Sequence, residues 1–275
     1  MNETLLTQLD AGVLTVTINR PEVKNALDTA TQRRMTELFY DAARTPTVRV
    51  LVLTGTGKAF STGGDVKTLG GPDPDDPIAQ QYSSDPTWAG VEARTDRLRK
   101  MTEASVWLYR MGKPTIAMVR GPAAGAGLSL ALACDFRFAA DNAFFLTAFS
   151  KIGTSGDYGG SYFMTKLIGP MRTKELYMLS ERVGAEEAFR LGLITRVTAD
   201  AELEEQTYAF ARRLAAGPAV ALRCIKENVH AALDDTLERA CDIEMRNMIR
   251  CRTTHDSEEA IKALSEKREP HFGGM

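Results

Sequence analysis

Short apolar runs rich in β-branched residues recur along the first 150 positions, spaced by turns and amphipathic stretches. This rhythm restricts the chain to an α/β architecture, because strands alternating with helices must bury both kinds of face against one another. Residues 12–19 (GVLTVTIN) alternate as a half-buried strand does, and residues 48–54 (VRVLVLT) read as a more deeply buried one. Between them a helix is predicted, with Asp28 as its cap and Met35, Leu38 and Phe39 on its apolar face. Residues 115–119, 136–139 and 144–147 supply three further strands. The pattern changes at residue 201, where 201–216, 219–233, 236–250 and 256–267 form successive amphipathic stretches without a strand. The expected organisation is an α/β core over 1–200 followed by a helical region over 201–275. Residues 70–87, rich in Pro, Gly, Asp and Ser, read as a long surface excursion of the kind used for lids and binding loops.

A chain of 275 residues buries a core without disulfides or a structural metal. Its 34 basic against 36 acidic residues leave a net charge of -2, which offers no general field for nucleic acid or an anionic membrane. Any anionic ligand must therefore be held locally. Cys134, Cys224, Cys241 and Cys251 have no CxxC spacing and read as reduced thiols in a cytoplasmic protein. The acidic N-terminus lacks the features of a signal peptide, and no window reaches the ~18 apolar residues of a membrane span.

Several familiar motifs fail on inspection. Gly55-Thr56-Gly57-Lys58 is not a phosphate loop, since Val52 replaces the first glycine and Ala59 the magnesium-binding hydroxyl. Gly153-Thr154-Ser155-Gly156 ends in Asp157 where a nucleophile elbow needs glycine, and Gly125-Ala126-Gly127 lacks the rest of a dinucleotide fingerprint. The histidines, His230, His255 and His271, all lie in the helical region, far in sequence from any candidate nucleophile. Two glycine-rich turns remain, at 60–66 and 121–127, each after a strand and opening a helix. Small residues there let backbone N–H groups approach a ligand, and a helix N-terminus adds positive potential, so the pair can form an oxyanion hole.

Asn19-Arg20-Pro21 through Asn25-Ala26-Leu27, Ala59-Phe60-Ser61-Thr62-Gly63-Gly64-Asp65, residues 121–127 with Cys134-Asp135, and Glu266-Lys267-Arg268 together resemble the enoyl-CoA hydratase/isomerase (crotonase) family in order and spacing. The resemblance spans nearly the whole chain. It implies a spiral of repeated ββα units followed by a helical C-terminal region, assembled as a homotrimer or a hexamer built from two trimers. It places the backbone N–H groups of Gly64 and Ala126 on the thioester carbonyl of an acyl-CoA, with Ala126 departing from the usual glycine. It sets Val23, Lys24, Ala26, Thr62, Asp65, Val66 and Lys67 along the CoA, where Lys24 and Lys67 suit its phosphates. No metal or separate cofactor is expected, since the CoA arrives as part of the substrate.

Hydratases of this family divide acid–base work between two glutamates, and the matching positions here are Ser129 and Phe149. Neither is a carboxylate. Asp157 is the acid that remains, in a segment that looks like the isomerases acting on phenylacetyl-CoA epoxides, and it is also placed to cap the helix starting near Gly159. The leading expectation is an isomerase that moves a proton through an enolate, with Asp157 as acid and base and Ser129, Phe149 and Tyr158 lining the acyl pocket. The alternatives are a hydratase that recruits water through Ser129 or Tyr158, and a non-catalytic acyl-CoA-binding homologue.

Overall fold

The computed structural model describes residues 3–65 and 90–274. The expected excursion at 70–87 lies outside the described residues, as do Val66 and Lys67. A six-stranded sheet has the order β1-β2-β3-β4-β6-β9, formed by Leu5–Asp10, Val13–Ile18, Val50–Gly55, Thr115–Val119, Phe136–Ala140 and Arg196–Thr198. Only β1 and β2 pair antiparallel within it. A smaller sheet contains β5 (Pro122–Ala124), β7 (Phe144–Leu146) and β8 (Val183–Gly184).

The spiral is visible in the register. Ile116 on β4 faces Phe136 on β6 in the large sheet, and Pro122 on β5 faces Phe144 on β7 in the small one. Each unit thus gives one strand to each layer and then enters a helix. Those helices are α3 (Ala126–Ala133) after β5 and, after a 3-10 turn at Phe149–Ile152, α4 (Gly160–Leu179) after β7. Earlier turns of the chain extend the second layer by single bridges, Leu27 to Gly64 and Ser61 to Ala123.

Local chemistry accounts for the elements. α1 (Thr29–Arg44) begins where the Asp28 carboxylate accepts from the Thr31 N–H at 2.8 Å, as the sequence predicts. β3 is buried on both faces, matching its unbroken apolar run. α3, AGLSLALA, is buried at every residue, so its apolar circumference belongs at the centre of the molecule. The run of α4 is broken at Gly169, at φ 78°, followed by Pro170, which has no N–H to donate.

Several features differ from the sequence reading. β1 was not expected: only Leu5 of its six residues is buried, so this edge strand carries a weak apolar signal. β5 sits inside what reads as a glycine-rich turn, its pairing supplied by β7 rather than by propensity. α2 (Val91–Arg110) also lies in a stretch left unassigned. The larger difference concerns α6 (Leu203–Ala215), whose Leu203, Ala211 and Ala215 pack on Val13, Val50, Val52, Ile116 and Phe138. It therefore seals the second face of the large sheet instead of belonging to an appendage. α5 (Ala185–Leu191) completes the core, and α7 (Ala219–Asp234), α8 (Leu237–Arg252) and α9 (His255–Glu266) make up the helical region. Cys134 and Cys224 are buried free thiols, whereas Cys241 and Cys251 are only half-buried.

One buried side chain ties the first turns of the spiral together. Asn25 donates to the carbonyls of Thr56 at 2.9 Å and Ala59 at 2.7 Å, and accepts from the Arg20 N–H at 2.9 Å. Asn25→Ala would strand these buried backbone groups and should lower the unfolding free energy by about 2–4 kcal/mol, read from urea denaturation. A change below about 0.5 kcal/mol would show that water replaces the amide without loss.

Candidate active site

Two glycine-rich turns lie side by side. Gly63 is at φ +90°, and a Cβ there would stand 2.8 Å from the Ala124 carbonyl and 3.1 Å from the Ala126 nitrogen. Only glycine permits that approach. Leu27 bonds both neighbours of Gly64, donating to Gly63 O at 2.8 Å and accepting from Asp65 N at 3.0 Å. In a parallel bridge this turns the N–H of Gly64 itself away from Leu27. On the adjacent turn, Ala126 is the first residue of α3, where helical amides have no partner within the helix. Neither the Gly64 nor the Ala126 N–H donates to a backbone carbonyl among the described residues. The Ala126 methyl is buried, so its departure from glycine narrows the site without removing a donor.

Of the residues expected along the CoA, Val23, Lys24, Ala26, Thr62 and Asp65 lie together at the first of these turns, and Val66 and Lys67 lie outside the described residues. Val23 closes a 3-10 turn, and Lys24 follows it in a left-handed conformation with an exposed side chain. The Thr62 N–H donates to the Lys24 carbonyl at 3.2 Å, which holds 23–26 against 61–65. Ala26 is buried. The carboxylate of Asp65 lies 3.2 Å from Arg20 Nη2, which also reaches Asp28 at 3.2 Å. Arg20 was missed as a site residue: its partners lie 8 and 45 positions away, so no local pattern marks it.

The other expected residues, Ser129, Phe149, Asp157 and Tyr158, are carried by α3, the 3-10 turn and the turn before α4. Phe149 is buried, and its Cε1 comes 4.0 Å from the position a Cβ on Gly125 would take, beside the Ala126 donor. Ser129 is 1% exposed, and its hydroxyl donates to Gly125 O at 3.3 Å. Gly160 sits directly over it. A Cβ at Gly160 would overlap Ser129 Oγ and stand 2.5 Å from the Tyr177 hydroxyl, so α4 can lie over Ser129 only because residue 160 is glycine. Tyr177 is a second residue that sequence analysis did not find, because it stands 20 positions beyond Asp157 on the far side of the α4 break.

Asp157 does not cap α4. The N-cap is Gly159, no side chain caps the helix, and Gly160 N bonds only the backbone oxygen of Asp157, at 3.1 Å. One carboxylate oxygen, Oδ1, is buried with no hydrogen-bond partner, and burial pushes the carboxyl up to about 6. Tyr158, at φ 52°, is buried with its hydroxyl also unpartnered, and burial together with the neighbouring Asp157 raises its pKa. The histidines stay elsewhere: His230 stacks on Tyr109 at 4.0 Å, and His255 and His271 are exposed near the chain end.

The raised carboxyl has a consequence for stability. A folded-state pKa above the ordinary 3.8 means that stability is fully present below about pH 4 and declines as the pH rises through about 6. Asp157→Asn removes that decline. It should gain on the order of 1–3 kcal/mol relative to the parent between about pH 4 and 7, with no further change above. Thermal unfolding across this range checks the sign, and a difference independent of pH would show that the acid is not buried as described.

The family model for enoyl-CoA hydratase/isomerase matches residues 8–275. A probable enoyl-CoA hydratase of Rhodobacter capsulatus is 33% identical over 271 residues, covering 98% of both chains. The 1,2-epoxyphenylacetyl-CoA isomerase of Escherichia coli is 33% identical over 274 residues and 100% of both. Among solved structures, a putative enoyl-CoA hydratase from Streptomyces coelicolor superposes with a TM-score of 0.88 at 34% identity, over 99% of this chain and 95% of the other. With paired glycine-rich turns, amides at Gly64 and Ala126 that have no backbone partner among the described residues, and this agreement along its length, the chain belongs to the enoyl-CoA hydratase/isomerase family.

Proposed function

We propose that this acyl-CoA enzyme is an isomerase: it moves a proton between carbons of the acyl chain through a thioester enolate. The observation that carries this reading is the buried, unpartnered Oδ1 of the half-buried Asp157, three residues ahead of the Gly160 that lies over the Ser129 hydroxyl. Enolate formation needs a base at the acidic carbon and donors at the thioester oxygen. The Gly64 and Ala126 amides serve as the donors, held by backbone pairing before substrate arrives. Asp157, titrating near 6, is mostly ionised at neutral pH and still basic enough to take a proton and return it to another carbon. Hydration would need a second polar group to activate water. Ser129 donates its hydroxyl to the Gly125 carbonyl, which leaves the unpartnered Tyr158 hydroxyl as the group on which a hydratase would rest.

Val23, Lys24, Ala26, Thr62 and Asp65, with Val66 and Lys67 outside the described residues, form the CoA side of this reading. No helix among the described residues is long and apolar enough to cross a membrane, and four free thiols suit the cytoplasm. Leu237, Met248, Ile249, Ile261 and Leu264 project apolar side chains from α8 and α9. That much exposed apolar surface supports assembly through the helical region as a trimer or a hexamer.

Three measurements test this account. Across a panel of short 2-enoyl, 3-enoyl, dienoyl and aryl-acetyl CoA thioesters, double-bond shift should exceed hydration. Asp157→Asn should reduce that turnover by on the order of 10²-fold with little change in CoA affinity. Robust hydration of crotonyl-CoA by the parent would instead favour the hydratase. CoA alone should bind more weakly as salt rises, and Lys24→Glu should weaken it further at low salt. Light scattering at micromolar concentration should give a trimer or hexamer, and a stable monomer would reject the assembly.

A further inference from the structure

Tyr177 touches Phe149, Gly156, Gly160 and Ser129 around Asp157. Its ring stacks on Phe149 with centroids 5.9 Å apart and planes 12° from parallel. Its Cε1 edge lies 3.1 Å from where a Cβ on Gly156 would stand. Its hydroxyl lies at Gly160, within hydrogen-bonding reach of Ser129. One side chain therefore braces the residue before Asp157, the helix start three residues after it, the 3-10 turn and α3. Asp157 has no hydrogen bond at Oδ1 to hold it, so its aim depends on the packing of its turn.

We propose that Tyr177 is the positioning residue for Asp157: its ring holds the 156–160 turn against Phe149 and keeps water from the carboxylate on that side. This rests on the reading of Asp157 as the proton carrier. Among the described residues, the titratable groups facing Asp157 are Tyr158 on its own turn and Tyr177 on α4. α3 contributes Ser129 and carries no charged residue, and the 3-10 turn contributes Phe149 while its Lys151 is exposed. Among the described residues only these neutral groups face Asp157, so exclusion of water is what raises its carboxyl, and the Tyr177 ring adds to that exclusion.

The test needs no substrate. The full-length protein is labelled with 13C at aspartate Cγ, and the Asp157 signal is assigned by its absence from Asp157→Asn. In the parent it should titrate near 6. Tyr177→Leu should lower that midpoint by about one unit. Tyr177→Met, which refills volume without a flat ring, should also lower it and serves if the leucine variant does not fold. Tyr177→Phe, which keeps the stack, should stay within about 0.3 units of the parent. If the leucine and methionine variants titrate as the parent does, the ring has no positioning role. If the phenylalanine variant shifts as far as they do, the hydroxyl rather than the ring is responsible and the proposal is wrong as stated. A parent midpoint in the ordinary carboxylate range would instead overturn the reading of Asp157 itself.

Discussion

The site depends on backbone pairing between successive turns of the spiral. Leu27 bridges Gly64, Ser61 bridges Ala123, and β5 pairs with β7, so each turn is positioned by main-chain hydrogen bonds to the next. Backbone pairs have fixed geometry and little freedom to rearrange, which suits donors that must stand ready before charge develops. The cost is crowding. Gly63 stands where any side chain would strike the carbonyl and amide of the next turn, so the two turns approach closely only because one position carries no Cβ.

Charge is handled differently on the two sides of this frame. On the CoA side, Arg20 reaches Asp28 and Asp65 at 3.2 Å and also donates to the Ala26 carbonyl, so the buried Asp65 carboxylate has a cation beside it. Such a cluster is expensive to break, since a lost partner leaves a buried charge uncompensated. On the acyl side, Asp157 Oδ1 has no such partner. A buried carboxylate oxygen without a partner costs stability at neutral pH, and costs of this kind recur at functional sites.

A different set of buried polar groups closes the far end of α3. Lys226 of α7 pairs with Asp135 at 2.8 Å, and Arg137 donates to the Leu193, Leu132 and Cys134 carbonyls. These residues border a cavity of about 380 Å³ between α4 and α7, and their polar atoms are engaged with one another or with backbone. They dock the helical region onto the core and leave its outer apolar residues to face outward. The Cys134 thiol in this cluster is pushed up to about 12 by burial and is chemically quiet.

The alternation of apolar runs, the Asp28 cap, the four late helices and the two glycine-rich turns were legible in the sequence because each is written in local periodicity or in residues with special backbone freedom. So was the absence of a carboxylate at 129 and 149. The edge strand β1, the short strand β5 and the docking of α6 on the sheet were not, since each takes its place from partners distant in sequence. The same holds for the acid. Its presence at 157 is a property of the sequence, together with a choice between capping a helix and standing free. Only the tertiary structure decided that choice: Gly159 takes the cap position, α4 lies over Ser129, and Tyr177 returns 20 residues later to wall the turn. Desolvation is a sum over neighbours, and chain order does not list neighbours.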